Sequence, residues 1–167
     1  MSPRHKLHRR HLRHRPFDPA VTIRDEQADH GSRQFAALPW RRGVNGEIKL
    51  LLITSRETRR WVIPKGWPME GRTAGEAAVQ EAYEEAGVFG EAVAAPIGTY
   101  TYDKRLRDGS LRAVEVLVFP MEVFVEQLSF PEQGQRDKAW VSPDEAAERV
   151  DEPELKALIR GFAPATA

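Results

Sequence analysis

The 167-residue sequence contains no cysteine, which excludes disulfide bonds, thiolate nucleophiles and thiolate-bound zinc. All five histidines lie within the first 30 residues, so the rest of the chain can form neither a Ser-His-Asp triad nor a histidine zinc site. No apolar run is long enough to cross a membrane, and the N-terminus lacks the apolar core of a signal peptide. We therefore expect a cytoplasmic protein without a membrane span, whose chemistry depends on carboxylates, Lys, Arg, Tyr and metal.

Basic and acidic residues balance, with 25 of each, but the basic residues are concentrated at the N-terminus. Residues 1–15 carry six Lys or Arg, four histidines and no acid, which leaves 19 basic against 25 acidic residues, a formal charge of −6, in the rest. We expect residues 1–30 to form a disordered basic arm and residues 31–167 a single domain. The arm could make weak, non-specific contacts with nucleic acid, contact an anionic membrane or bind metal, or it could be dispensable.

Three glutamates of one predicted helix carry the strongest functional signal. At about 100° per residue, Glu81, Glu84 and Glu85 fall within an arc of roughly 100° around the helix axis. Carboxylates so close together repel one another, and a divalent cation removes this repulsion because Mg²⁺ and Mn²⁺ prefer hard oxygen ligands. A solvated acidic helix face is the alternative. The residues in front of the helix favour the metal site.

The helix has clear start and end signals, and a turn precedes it. Thr73 and Glu76 form a capping box, and Gly87 lies where a left-handed glycine would end the helix. Upstream, Trp61–Ile63 favours a short strand and Pro64–Gly66 a turn out of it. Small side chains beside the glutamates would let the helix lie close to a sheet. They are Ala74, Ala78, Ala82 and Ala86.

The spacing of these residues resembles the Nudix box, GX5EX7REUXEEXGU, where U is a bulky aliphatic residue. The matching positions are Gly66, Glu81, Glu84, Glu85, Gly87 and Val88, with a small aliphatic residue at Ala82. Two positions depart: Arg72 replaces the first glutamate of the pattern, and Gln80 replaces its arginine. In the family that arginine holds the glutamate that acts with the metals, whereas glutamine can hydrogen-bond a carboxylate but has no charge. The departure at Gln80 therefore bears on catalytic rate more than on metal binding.

Residues 33–160 resemble the diphosphoinositol-polyphosphate and diadenosine-polyphosphate branch of the Nudix hydrolases. The matching stretches are RQFAALPWR at 33–41, LLITSRETRRWVIPKGW at 51–67 and RDKAWVSPDEAA at 136–147. The resemblance implies an α/β/α sandwich, in which the glutamate helix packs on a mixed sheet. It also implies hydrolysis of a phosphoanhydride bond by water, with Mg²⁺ or Mn²⁺ as the cofactor.

The resemblance further implies roles at the site. The catalytic residues would be Gln80, Glu81, Glu84 and Glu85. The helix glutamates would also bind the metal, with Glu81 alternatively acting as the base that orients water. The Lys65 carbonyl and a carboxylate from outside the helix would complete the ligand shell. Glu132 is the first candidate for that carboxylate and Glu115 the second.

Residues that hold the substrate should be basic or hydroxyl-bearing and lie near the sheet edge. Arginine forks match the geometry of phosphate, and a basic cluster attracts a polyanion even to an acidic domain. The residues that the resemblance to this branch implies are Arg33, Ser55, Arg56, Lys65, Gly66, Arg136 and Lys138. A small-molecule polyphosphate is therefore the expected partner. Strand aromatics are more often core residues, so we leave Tyr100 and Tyr102 out of the site.

The other segments predict strands in two hairpins, a further short strand and terminal helices. The strands are Gln34–Arg42, Ile48–Ser55, Ala95–Lys104, Arg112–Val125 and Ala139–Val141. One helix follows Ser142, with Pro143 at its first position and Glu145 completing a capping box, and another covers Pro153–Arg160. Pro120 should interrupt the long last hairpin strand or place it at an edge.

Two classes of function fit these residues. The first is a metal-dependent pyrophosphohydrolase that acts on diadenosine polyphosphates, diphosphoinositol polyphosphates or nucleoside triphosphates. The second is a ligand-binding sensor in which Gln80 marks lost catalysis. Retention of all three helix glutamates favours the enzyme. Within that class, hydrolysis at RNA 5′ ends is the runner-up because of the basic arm. The sequence does not indicate the oligomeric state.

Overall fold

The computed structural model describes residues 32–165. The expected basic arm at 1–30 lies outside the described residues, so the boundary at residue 31 stays a prediction. No helix in the described part is both long and apolar enough to cross a membrane.

Eight strands and three helices make up this part of the chain. The strands are β1 (Arg33–Arg42), β2 (Ile48–Thr54), β3 (Trp61–Val62), β4 (Lys65–Gly66), β5 (Val88–Ala92), β6 (Gly98–Arg105), β7 (Leu111–Glu126) and β8 (Lys138–Val141). The helices are α1 (Ala74–Ala86), α2 (Pro143–Arg149) and α3 (Pro153–Gly161).

The strands form one mixed sheet in the described residues. Along its main path the order is β3-β2-β1-β7-β5, while β4 pairs with β1, β6 with β7 and β8 with β2. The central pair β1 and β7 is parallel, and the other strand pairs are antiparallel. The predicted mixed sheet with flanking helices is confirmed.

Helices cover both faces of the sheet because side chains alternate along each buried strand. In β2, Leu50 and Leu52 belong to the core under α2 and α3, whereas Leu51 and Ile53 belong to the core under α1. The α1 core includes the fully buried alanines predicted as a stripe. They are Ala78, Ala82 and Ala86. Methyl groups let the helix backbone lie close to the sheet, so the glutamates beside them are held near the strands.

The expected capping of α1 is confirmed at both ends. Thr73 Oγ1 accepts from the backbone N–H of Glu76, and the Glu76 carboxylate accepts from the backbone N–H of Thr73. Gly87 is left-handed with φ of 70°, and its N–H donates to the carbonyl of Tyr83. At α2, Ser142 caps as expected, but the Glu145 carboxylate pairs with Arg149.

Two expectations about strands are wrong, and one strand was not expected. Lys65 and Gly66 do not form a turn but pair with β1 as β4, because their backbone groups complete the ladder beside β1. Pro120 lies inside the central strand β7, where its carbonyl accepts from Val93. Backbone N and C=O of a strand residue face the same edge, so the missing N–H falls at the gap between β5 and β6. The strand that was not expected is the short β5, in which exposed residues alternate with less exposed ones.

Candidate active site

Glu81 and Glu85 form a tightly coupled pair of carboxyl groups on the sheet side of α1. Glu85 is only 8% exposed, and its carboxylate accepts a hydrogen bond from the backbone N–H of Lys65. Burial, then the charges of Glu85 and Glu84, raises the pKa of Glu81 to about 8. Burial also raises the pKa of Glu85 to about 7, against the opposing effect of Arg136. Near neutral pH the pair therefore keeps a proton.

Gly66 provides the space in which Glu81 lies. A Cβ atom built on Gly66 would overlap the Glu81 carboxyl group. The strand β4 and the helix α1 thus meet at this point, and a larger residue would push the Glu81 carboxyl group out of its position. The required glycine of the box has a steric reason here, since the residue has no positive φ to explain it.

Gln80, which replaces the arginine of the box, contacts Glu84. Its Nε2 donates to Glu84 Oε1 at 3.1 Å, one helical turn along α1. This bond is neutral on the donor side and therefore weaker than an arginine would supply. Gln80 thus contacts Glu84, although the position was expected to orient Glu81.

A loop after β7 brings a fourth carboxylate to the site. The backbone N–H of Glu132 donates to the carbonyl of Glu84 at 3.0 Å, which fastens this loop to α1. The Glu132 charge contributes to the raised pKa of both Glu81 and Glu85. Among the two carboxylates considered from outside the helix, Glu132 is the one beside the pair. Glu115 instead pairs with Arg33 at 3.0 Å.

Two arginines lie among these acids. Arg136 Nη2 is 3.2 Å from Glu132 Oε1 and 3.7 Å from Glu85 Oε1, and its side chain is 10% exposed. Arg56 is 58% exposed and lies 3.4 Å from the same Glu132 oxygen. Two of the three expected phosphate-binding arginines are therefore next to the acidic group, one buried and one at the surface.

The Lys65 side chain lies on the other side of β4 from Gly66. Its Nζ is 4.9 Å from the centroid of the Tyr102 ring, and Tyr102 donates to Gln34 Oε1 at 2.6 Å. Burial lowers the pKa of Lys65, while the charge of Glu85 acts in the opposite direction. Burial raises the pKa of Tyr102 to about 12, so its hydroxyl stays a donor. Lys65 thereby links the helix glutamates to the polar side chain of Tyr102 on β6.

Three other expected binding residues have partners elsewhere. Arg33 is paired with Glu115 at the start of β1. Lys138 is 3.4 Å from Glu126 and lies over the Phe130 ring. Ser55 Oγ is bonded to Thr58 within the turn after β2. None of these contacts joins the residue to the helix glutamates.

Sequence reasoning missed Tyr102, Gln34 and the carbonyl of Thr54 as neighbours of the site. Tyr102 was left out as a core aromatic, yet it contacts the Lys65 ammonium. The alternation Tyr100, Tyr102, Lys104 along β6 places them on one face and was the available signal. The Thr54 carbonyl, which accepts from Arg136, has no sequence signal because any residue supplies a carbonyl.

The oxygen atoms of the site suit a divalent cation, although they are not yet arranged around a single metal position. Carboxylates and a backbone carbonyl are the hard ligands that Mg²⁺ and Mn²⁺ prefer. The proton retained by Glu81 and Glu85 marks a place where a cation would relieve repulsion. Within residues 32–165, no group of three acidic side chains converges as a ready metal cage. Side chains such as Glu84, now bonded to Gln80, would therefore have to turn.

A cavity of about 850 Å³ opens on the other flank of α1. Arg72, Gln80 and Glu76 line it together with residues of β5, but none of the paired glutamates does. Of the expected catalytic residues, only Gln80 lines the cavity, so we do not assign the substrate to it.

A family model described as the NUDIX domain matches residues 33–162. The chain belongs to the Nudix hydrolase family. Members of this family act on phosphoanhydride bonds and generally use divalent metal ions such as Mg²⁺. Nudix hydrolase 13 of Arabidopsis thaliana, named as mitochondrial, is 31% identical over 137 residues, which are 78% of this chain and 62% of that protein. The chain spans about half to two thirds of the length of the curated relatives it matches.

Solved structures share the Nudix fold at low sequence identity. The Ap4A hydrolase of C. elegans superposes with a TM-score of 0.54 at 19% identity, covering 77% of this chain and 93% of its own. The dihydroneopterin triphosphate pyrophosphohydrolase of E. coli gives a TM-score of 0.59 at 16% identity, covering 78% and 94%. These likenesses establish the fold and not the substrate.

Proposed function

We propose that this Nudix protein is a divalent-metal-dependent pyrophosphohydrolase that cleaves a phosphoanhydride bond in a diadenosine polyphosphate or a diphosphoinositol polyphosphate. The observation that carries the proposal is the coupled pair Glu81 and Glu85. Its burial against Gly66 and the Lys65 backbone raises both pKa values toward neutrality. Shifts of this kind concentrate at functional sites.

The residues divide into those that hold a cation and those that act on water. Glu84 and Glu85, with the Lys65 carbonyl, would hold Mg²⁺ or Mn²⁺, and Glu132 would be the carboxylate from outside the helix. When bound, the ion supplies charge neutralisation at phosphate oxygens and lowers the pKa of a water. Glu81 is fixed over Gly66 beside these ligands, and a bound cation would displace the proton that the metal-free pair keeps, which would leave Glu81 able to accept a proton from the attacking water.

Phosphate groups would lie between the arginines and the lysine of the site. Arg56 is 58% exposed, so its guanidinium can reach phosphate oxygens, and Arg136, which shares the Glu132 carboxylate with it, would contact phosphate through its Nη atoms. Lys65 and Lys104, each lying over an aromatic ring, provide cations along β4 and β6. A substrate with several phosphates could contact both groups. The preference for the two named substrate classes rests on the sequence resemblance, and the cytoplasmic location stays a prediction.

The test is release of phosphate or nucleotide from a panel of substrates in the presence of Mg²⁺ or Mn²⁺. The panel contains diadenosine polyphosphates, diphosphoinositol polyphosphates, nucleoside triphosphates and 5′-triphosphate RNA, with Glu85→Gln as the blank. We expect turnover of one of the first two classes above the blank. Turnover confined to RNA would contradict the proposed substrate and support RNA 5′-end hydrolysis.

Loss of all turnover has a different meaning from a changed substrate. If the whole panel stays at the level of the blank while the protein binds Mg²⁺, the sensor interpretation replaces the enzyme. Gln80 would then be the first residue to examine, because Gln80→Arg restores the residue type of the box at that position. A gain of turnover in that variant would locate the loss at Gln80.

A further inference from the structure

Arg136 is an enclosed cation beside the acidic pair. Its Nη1 donates to the carbonyl of Thr54 at 3.2 Å, and its Nη2 lies between Glu132 at 3.2 Å and Glu85 at 3.7 Å. The side chain is 10% exposed, and the buried Nε has no hydrogen-bond partner among the described residues. The guanidinium is thus bound by charge more than by a complete set of hydrogen bonds.

This arrangement differs from the structural ion pairs of the same region. Arg59 pairs with Asp137 at 3.1 Å while 52% exposed, and such a surface pair contributes little to stability. Removing Arg136 from water is costly, and the unpartnered Nε adds to that cost. This desolvation cost is offset by two acids, Glu85 and Glu132, rather than by one. A buried cation between Glu85 and Glu132 is in the electrostatic position that a metal ion would occupy.

We propose that Arg136 is a resident counter-ion of the cation site. It neutralises Glu85 and Glu132 while no metal is bound, and an entering divalent cation competes with it for these carboxylates. The inference rests on the proposed function, because it takes Glu85 as a metal ligand. Arg136 then sets metal affinity as a positioning residue, in addition to any contact with phosphate.

The test compares Mn²⁺ binding by wild type, Arg136→Gln and Arg59→Gln in calorimetric titrations without substrate. Titration at about pH 9 keeps proton competition small. Removing one positive charge from beside the ligands should lower the Kd of Arg136→Gln about tenfold. The control Arg59→Gln, which removes an exposed charge from the neighbouring turn after β2, should bind as wild type does.

An unchanged or higher Kd in Arg136→Gln would overturn the inference, since an arginine that only supports the loop would help metal binding. Wild type that binds no Mn²⁺ would contradict the proposed function instead, and with it the inference. The two failures are therefore distinguishable.

A second measurement covers the case in which Arg136→Gln does not fold. In wild type labelled with ¹⁵N in arginine side chains, the Nε–H signal of Arg136 can be identified by its absence in Arg136→Lys. Saturation with Mg²⁺ should shift this signal, because the cation takes over Glu85 and Glu132. A signal that stays in place at saturating Mg²⁺ would overturn the inference.

Discussion

The two faces of the sheet use their charged residues in opposite ways. Under α2 and α3, Arg60 lies 3.1 Å from Asp151 and 3.3 Å from the buried Glu152, so the acids are paired. Beside α1, four carboxylates gather around two arginines, and the Glu81 and Glu85 pair keeps a proton. One face uses ion pairs to hold its helices, and the other keeps an excess of negative charge that destabilises the metal-free protein. The charged residues under α2 and α3 therefore stabilise the fold, whereas those beside α1 form the candidate active site.

The sharpest test of this comparison uses two glutamates that are equally buried, at 8% exposed each. Glu85→Gln should lower kcat on the order of 10³-fold, because a metal ligand contributes several kcal/mol to the transition state. Its unfolding temperature in EDTA should stay the same or rise, since repulsion is relieved. Glu152→Gln should keep kcat within about threefold but lose about 2 kcal/mol of stability, because Arg60 loses a buried partner. Assays of kcat and thermal unfolding would measure both, and a reversed pattern would refute the comparison.

Gly66→Ala should produce the next largest effect. The added methyl group displaces the Glu81 carboxyl group, and a displacement of about 1 Å can lower the rate about 100-fold. Gly161→Ala is the matched control, because nothing lies within 4 Å of a Cβ built there. Steady-state kinetics of both variants would measure the effect. Wild-type kcat in Gly66→Ala would mean that the Glu81 position does not matter.

The acidic face should also make metal-free stability depend on pH. Folding raises the pKa of Glu81 to about 8 and of Glu85 to about 7, above their usual 4.5, so the folded state binds more protons between these limits. The contribution of these two groups to the free energy of unfolding is therefore greatest below pH 4.5. It is lost as the pH rises through about 8. In EDTA, the unfolding temperature should be about 4 °C lower at pH 8.5 than at pH 6. Glu81→Gln, which removes one of the groups, should reduce this difference, and an equal difference in that variant would contradict the assignment.

The smallest expected effect is at the departure from the box. Gln80→Arg would replace a neutral hydrogen bond to Glu84 by a charged one and should raise kcat about threefold. Gln80→Leu, which removes the bond, should lower kcat by a similar factor. If the arginine variant is slower than wild type, the site has adapted to glutamine.

Local sequence predicted the parts of the fold that depend on local physics. The cap at Thr73, the end at Gly87 and the buried face of Ala78 follow from rules that act within one helix, and the structure contains all three. The central position of Pro120 could not be predicted in this way. It depends on where β5 ends and β6 begins along β7, which is a property of strand pairing between distant segments.

The same limit applies to the site. Glu81, Glu84 and Glu85 could be found because they share a helix, and Gly66 because its spacing from that helix is fixed. The contacts of Arg136 with Thr54 and of Lys65 with Tyr102 join different strands and loops. Such pairs have no fixed spacing in the sequence, so Arg136 was assigned to substrate alone, the Lys65 side chain was given no partner and Tyr102 was left out.

The contact between Gly66 and Glu81 makes the site a late product of folding. Glu81 reaches its position only after β4 has paired with β1 and α1 has packed on the sheet, and neither element fixes it alone. During refolding, cation binding should therefore be detected only with the last step of assembly, after the helix has formed.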